Sequence, residues 1–289
     1  MKKYIGVLTL LGVAVIFGMA FSFQSIASSY LSPFSLNGLR FLMAGIVLSP
    51  IFLIKDNTDT RTLIKAGILD GILLFGATNL QQTAIEVTSA GKAGFLTAMY
   101  IVLVPVFAFL FLKRKLHLHV IISVLLSLVG LYLLCGLSLS DLQLRVSDLF
   151  LIGCAMIFAI QILVVEHYVD KVHPIKMSTL AFLVAGVLCI PFVLVKETIT
   201  MDAFLKALPS LLYLSLASTC LGYTFQAVGQ KLVDATPAAL LMSLESVFSA
   251  VGGYLLLHQV LSTRELLGAV VMFTAVILCQ LPIPYKKGK

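Results

Sequence analysis

Charge is scarce in this 289-residue sequence: Asp, Glu, Lys and Arg together make up 11% of it, against about a quarter in a soluble domain. So little polar surface argues against a soluble chain, which would expose large sticky apolar patches. Catalytic signatures are missing as well. No G-x-x-x-x-G-K-[ST] phosphate loop occurs, so ATP hydrolysis by that route is excluded. Neither H-E-x-x-H nor G-x-S-x-G occurs, and with no nucleophile or metal cluster the chain is not read as an enzyme.

The five cysteines (Cys135, Cys154, Cys189, Cys220, Cys279) each fall inside an apolar run. None forms a C-x-x-C pair or a Cys/His cluster with zinc spacing, so they read as small fillers without disulfides. The five histidines, His117, His119, His167, His173 and His258, fall near helix ends and read as interface residues. No metal and no cofactor is expected. The net charge is +7, yet no basic tract or aromatic-basic stripe occurs, so nucleic acid is not expected as a partner. No loop is long enough to be the soluble output domain of a sensor.

What the sequence has in abundance is apolar runs. Hydrophobic residues make up 60% of it, and the mean hydropathy is +1.07. A membrane-spanning helix needs about 20 mostly apolar residues. Ten segments qualify: Tyr4–Ala27, Pro33–Ile54, Leu63–Ile85, Ala93–Leu112, Leu118–Leu137, Ser147–Tyr168, Pro174–Val195, Leu208–Gln230, Thr236–Leu257 and Thr263–Leu281. The first run is longer than the core of a usual signal peptide and carries Gly6, Gly12 and Gly18 in helical steps, which suits a packed membrane helix. With the N-terminus inside, the inner segments hold 14 Lys and Arg, the outer segments hold 5, and Arg40 lies within a helix. This positive-inside bias predicts both termini on the cytoplasmic side of the plasma membrane.

The chain also repeats itself. An offset of 141 residues takes Phe17 to Phe158, Pro33 to Pro174, Phe41-Leu42-Met43-Ala44-Gly45 to Phe182-Leu183-Val184-Ala185-Gly186, and Pro50 to Pro191. Beyond that the offset becomes 145, taking Gln81 to Gln226 and Ala93 to Ala238, which predicts a loop four residues longer in the second copy. The fold class is therefore an all-α membrane protein of ten transmembrane helices, built as two inverted five-helix repeats around a central cavity. The repeats are 1–140 and 141–289. Five helices per copy is an odd number, so the copies cross the bilayer in opposite senses. That symmetry supports alternating access in many secondary transporters.

Polar side chains at membrane depth are the candidates for function. Glu245, in Leu244-Glu245-Ser246, sits mid-helix and is suited to bind a cationic group or to exchange a proton. Asp70 is a second candidate for proton coupling; its position also allows snorkelling toward cytoplasmic water. Arg40 either holds a substrate anion or locks helices together by pairing with Glu245 or backbone carbonyls. Tyr100 falls opposite Glu245 in the repeat. Thr97, Asn79, Gln81, Gln82, Gln226, Gln24 and Gln161 are candidates to orient a solute, with Phe17, Phe225 and Phe248 as apolar walls. The alternative for each polar group is an ordinary interhelical hydrogen bond, worth about 0.6–2 kcal/mol.

Several stretches resemble the EamA family of the drug/metabolite transporter superfamily. They are Thr88-Ser89-Ala90-Gly91-Lys92-Ala93-Gly94-Phe95-Leu96-Thr97, Ile101-Val102-Leu103-Val104-Pro105, Ser243-Leu244-Glu245-Ser246-Val247-Phe248 and Leu39-Arg40-Phe41. That family commonly has proline after the glutamate, where this chain has Ser246. The resemblance implies a cavity lined by helices 3, 4, 8 and 9 with parts of 1 and 6. It also implies movement of a small organic solute (an amino acid, another metabolite or a drug), usually outward. Proton coupling, an uncoupled facilitator or exchanger, an importer, and a monomeric or homodimeric assembly all stay open.

Overall fold

The computed structural model describes residues 2–87, 90–114, 117–136, 146–196, 199–257 and 261–280. All regular structure among them is helical. In chain order the elements are α1 (Lys2–Ser28), α2 (Pro33–Leu48) with a 3₁₀ turn at Ser49–Leu53, α3 (Thr60–Ile85), α4 (Ala90–Thr97), α5 (Tyr100–Leu112) and α6 (Leu118–Leu134). Then come α7 (Val146–Tyr168), α8 (Pro174–Lys196), α9 (Met201–Leu212), a π-helical stretch (Tyr213–Tyr223), α10 (Thr224–Gln230), α11 (Ala235–Met242), α12 (Glu245–Leu257) and α13 (Thr263–Gln280). Among the described residues, nine continuous or broken helical stretches are long and apolar enough to span a bilayer, and Leu118–Leu134 is a shorter apolar helix. The expected helix ends at Leu137 and Leu281, together with Thr88, Ser89 and His258, lie outside the described residues.

The outer faces are apolar: Leu53, Phe111 and Leu194 are exposed, as suits a surface facing lipid. Phe225, expected as a cavity wall, is 41% exposed and belongs to this exterior. Inside, α2 crosses α8, α3 packs on α7 and α8, α1 packs on α12 and on the α9–α10 stretch, and α6 pairs with α13. The α2–α8 crossing joins residues to their own counterparts at offset 141. Phe41 faces Phe182 with ring centroids 6.2 Å apart. Gly45 abuts Leu183, and Gly186 abuts Leu42. Small residues here let the two backbones approach.

Helix starts recur at the same spacing. Asp59 caps α3 by accepting from the Thr62 backbone N–H at 2.9 Å, and its counterpart Thr200 caps α9 by accepting from Ala203 N–H at 3.2 Å. From these caps to the ends at Ile85 and Gln230 the second stretch has four more residues than the first. The extra residues do not lengthen a loop, as the sequence suggested. They are wound into the helix as the π-helical stretch, where bonding to the fifth residue back takes up more chain per turn. The Thr219 hydroxyl donates to Leu214 O at 2.8 Å and the Ser215 hydroxyl to Leu211 O at 2.7 Å, filling acceptors in the widened turns.

Two further helices, expected to be continuous, are broken. Both breaks have the same form 145 residues apart. Met99 N–H bonds Leu96 O at 3.3 Å and Leu244 N–H bonds Leu241 O at 3.3 Å; Ile101 bonds Ala98 at 3.0 Å and Ser246 bonds Ser243 at 3.1 Å. These are three-residue bonds, so the chain tightens into a 3₁₀ turn before resuming. Tyr100 and Glu245 thereby become the first residues of α5 and α12. The break at Glu245 forms without the proline that commonly follows it.

At one end of the bundle, ionic contacts tie loops to helices. Lys176 pairs with Asp56 at 2.8 Å and donates to Ile54 O at 2.6 Å. The Lys176 hydrogen bond, with the Thr58 backbone N–H, holds the Asp56 carboxyl well below the usual carboxylate range. Arg114 pairs with Glu166 at 2.8 Å, and the same carboxylate accepts from Ala235 N–H at 2.7 Å.

Candidate functional site

The helix breaks, the α2–α8 crossing and α1 meet around one central cavity of about 60 Å³. It is lined by Phe17, Ala20, Phe21 and Gln24 of α1, Arg40 of α2, Gln81 of α3, Thr97 of α4, Tyr100 of α5, and Phe158, Gln161 and Ile162 of α7. The second half adds Ser218 and Tyr223 of the π-helical stretch, Gln226 of α10, Met242 of α11 and Glu245 of α12. Its volume is about that of two liquid waters. A metabolite site is larger, about 300–1,000 Å³, so a solute enters only if the surrounding helices move apart.

Twelve of the sixteen lining residues are counterparts of one another at offset 141 or 145. Phe17 pairs with Phe158, Ala20 with Gln161, Phe21 with Ile162, Gln81 with Gln226, Thr97 with Met242 and Tyr100 with Glu245. The Tyr100–Glu245 pair touches directly, the Tyr100 hydroxyl donating to Glu245 Oε1 at 3.0 Å. The helix breaks make this contact by turning both side chains inward at the start of their half-helices.

Of the residues singled out from the sequence, Glu245, Tyr100, Thr97, Gln81, Gln226, Phe17, Gln24, Gln161 and Arg40 line the cavity. Asp70 does not line it and does not snorkel: it is 3% exposed and accepts from Gln161 Nε2 at 2.8 Å. Gln226 in turn donates to Gln161 Oε1 at 3.0 Å and to Gln230 Oε1 at 3.1 Å. A buried chain of side-chain amides thus links the cavity wall to Asp70. Three residues fall elsewhere. Asn79 accepts from Asn37 Nδ2 at 3.1 Å and donates to Phe75 O at 2.8 Å. Gln82 donates to the Ser28 hydroxyl at 2.6 Å. Phe248 packs against Gly18 and stands edge-on to Phe273, with centroids 6.4 Å apart.

Arg40 is 2% exposed. Its guanidinium lies over the Phe41 ring at 4.9 Å and beside Tyr223 and Cys189; Glu245 is not its partner. Tyr223 is the main residue that sequence reasoning missed. Its ring sits 4.8 Å from Phe17, 6.5 Å from Phe41 and 6.2 Å from Phe182, so it joins the cavity to the α2–α8 crossing. Its counterpart, Thr78, instead donates to Leu74 O at 2.7 Å within its own helix, so the repeat alignment carried no signal for it. Among the described residues no group of three or more His, Cys, Asp or Glu is placed to hold a metal ion.

Comparison with known proteins adds a family. An uncharacterized transporter of Archaeoglobus fulgidus is 28% identical over 271 residues, covering 94% of this chain and 84% of its own length. A second uncharacterized transporter of that organism is 22% identical over 282 residues, covering 93% of this chain and 95% of its own length. A protein crystal structure superposes with a TM-score of 0.76 at 16% identity, covering 94% of this chain and 96% of that one, a likeness of fold alone. The model of the EamA-like transporter family matches residues 4–136 and again 145–280, so this multi-pass membrane protein belongs to that family.

Proposed function

We propose that this chain exports a small organic solute across the cytoplasmic membrane by alternating access. Its two five-helix repeats, 1–140 and 141–289, have inverted topology, with both termini cytoplasmic. The observation that carries this reading is the composition of the cavity: twelve of its sixteen lining residues are repeat counterparts. A site on the symmetry element between inverted repeats has two related states, one open to each side. The positive-inside count supports the orientation.

Glu245 and Asp70 are the carboxyls on which a proton gradient would act. Glu245 is the primary one, because it lines the cavity and shares a hydrogen bond with Tyr100. The test is metabolite profiling of the medium from cells producing wild type or Glu245→Gln. One compound accumulating outside with wild type and at least tenfold less with the variant supports export through this site. In proteoliposomes loaded with that compound, wild-type flux rises with a pH gradient and the variant's does not. Wild-type flux indifferent to pH would replace coupling by uncoupled facilitation, and accumulation inside the cells would reverse the direction.

A further inference from the structure

Among the described residues a single cation, Arg40, lines the cavity, and it is under-partnered. Arg40 Nε and Nη1 are both buried without a hydrogen-bond partner. The guanidinium's neighbours are the Phe41 ring face, Tyr223 and the Cys189 thiol, and among the described residues no carboxylate forms an ion pair with it. A buried arginine at membrane depth is costly unless its charge and its donors are met. Its counterpart at offset 141 is Ala181, which is fully buried and packs in the α2–α8 crossing. The helix frame therefore does not call for a cation at this position.

We infer that Arg40 anchors a carboxylate on the transported solute; this rests on the transport reading for its use of the cavity. The charge count favours a monoanion. Arg40 is the only Lys or Arg among the lining residues, and Glu245 stands in the same wall. A phosphate dianion would leave a net negative charge beside that carboxyl. The planar fork of a guanidinium matches the two oxygens of a carboxylate, whereas a lysine offers only a point charge. The rest of the solute meets rings: Phe17, Phe21, Phe158, Tyr100 and Tyr223 line the same space. The ligand class is thus a small carboxylate with a flat apolar body.

The test uses the purified full chain in detergent and no gradient, so it reads binding whether or not export is ever seen. The melting temperature is followed while titrating benzoate, its neutral isostere benzamide, or benzylammonium. A ligand that binds only the folded state raises the midpoint. Benzoate at about five times its dissociation constant is expected to raise it by about 2–4 °C, with benzamide and benzylammonium at the same concentration giving no comparable rise. Arg40→Gln should abolish the benzoate shift, and Arg40→Lys, which keeps the charge and loses the fork, should weaken the apparent affinity at least about tenfold. If Arg40→Gln does not fold, the three-ligand comparison on wild type and the lysine variant decide the question. Equal shifts with benzoate and benzamide, no shift with either, or an undiminished benzoate shift in Arg40→Lys overturns the anchor. A benzoate shift that stands while profiling detects no exported compound would leave the anchor in place and remove the export reading.

Discussion

The two halves of the molecule agree in their frame and disagree in their charges. Their caps, helix breaks and central crossing recur at fixed offsets, down to a 3.3 Å hydrogen bond in each break. The ionisable groups inside the bundle do not recur. Arg40 answers to Ala181, Asp70 to Leu211 and Glu245 to Tyr100. Under the alternating-access proposal, the repeated features are those a symmetric motion would require, since each half would have to adopt the other's shape. Features present once give the cavity a positive side, a negative side and a chemical preference. The π-helical stretch, with its four extra residues, belongs to this second kind, and it ends at Tyr223, beside Arg40.

Substitutions at the close helix contacts are expected to have the largest effects on stability. A Cβ built on Gly268 would lie 2.6 Å from Gly130 O, a backbone atom that cannot swing aside. Gly268→Ala should therefore cost at least about 1–3 kcal/mol by overpacking. Gly94→Ala meets nothing within 4 Å and should be neutral or gain up to about 1 kcal/mol in helix propensity. Melting temperatures of the two variants, measured in one detergent, give the comparison; equal values would show that α6 and α13 do not pack as described.

A pair of substitutions then tests the crossing itself. Alanine Cβ atoms at Gly45 and Gly186 would each stand close to a leucine tip, 2.7 Å from Leu183 Cδ2 in one case and 2.8 Å from Leu42 Cδ2 in the other. Leucine tips yield more readily than backbone, so each change should cost about 1–2 kcal/mol, below Gly268→Ala. The two losses should agree within error. A difference beyond about 1 kcal/mol would break the equivalence of the halves at the place where it is most direct.

The frame was largely legible in the sequence because hydropathy and repeated prolines survive averaging over a whole helix. The repeat alignment set Tyr100 opposite Glu245, but that the two side chains touch is seen only in the structure. The breaks were not legible. Leu96-Thr97-Ala98-Met99 and Leu241-Met242-Ser243-Leu244 contain neither glycine nor proline, and nothing local marks a 3₁₀ turn there. Extra residues in a helix and extra residues in a loop look alike when all are apolar or small, so the π-helical stretch read as a longer loop. Which way a side chain faces left no mark in the sequence. Gln81 lines the cavity while Gln82 reaches Ser28, because neighbours on a helix point about 100° apart. In a helix apolar on every side, no stripe tells which of the two points inward.

The smallest expected effect separates the halves by pH rather than by position. Asp59 and Thr200 make the same cap on equivalent helices, but only Asp59 ionises. Hydrogen bonds from the Thr62 hydroxyl, at 2.6 Å, and from the Thr62 backbone N–H hold its carboxyl below the usual aspartate range. A folded-state pKa below the unfolded one means that the unfolded chain binds the proton more readily. The cap's contribution is therefore fully present above the ordinary aspartate value of about 3.9 and is lost as pH falls through the lower, folded value. Asp59→Ala should lower the melting temperature at pH 7, with the gap to wild type closing progressively below about pH 4. Thr200→Ala should cost about 0.5–2 kcal/mol at every pH, because a hydroxyl cap has no charge to lose. Melting curves of both variants from pH 7 down to pH 3 check this. A gap for Asp59→Ala that stays constant in acid would mean that its backbone, not its carboxylate, sets the start of α3.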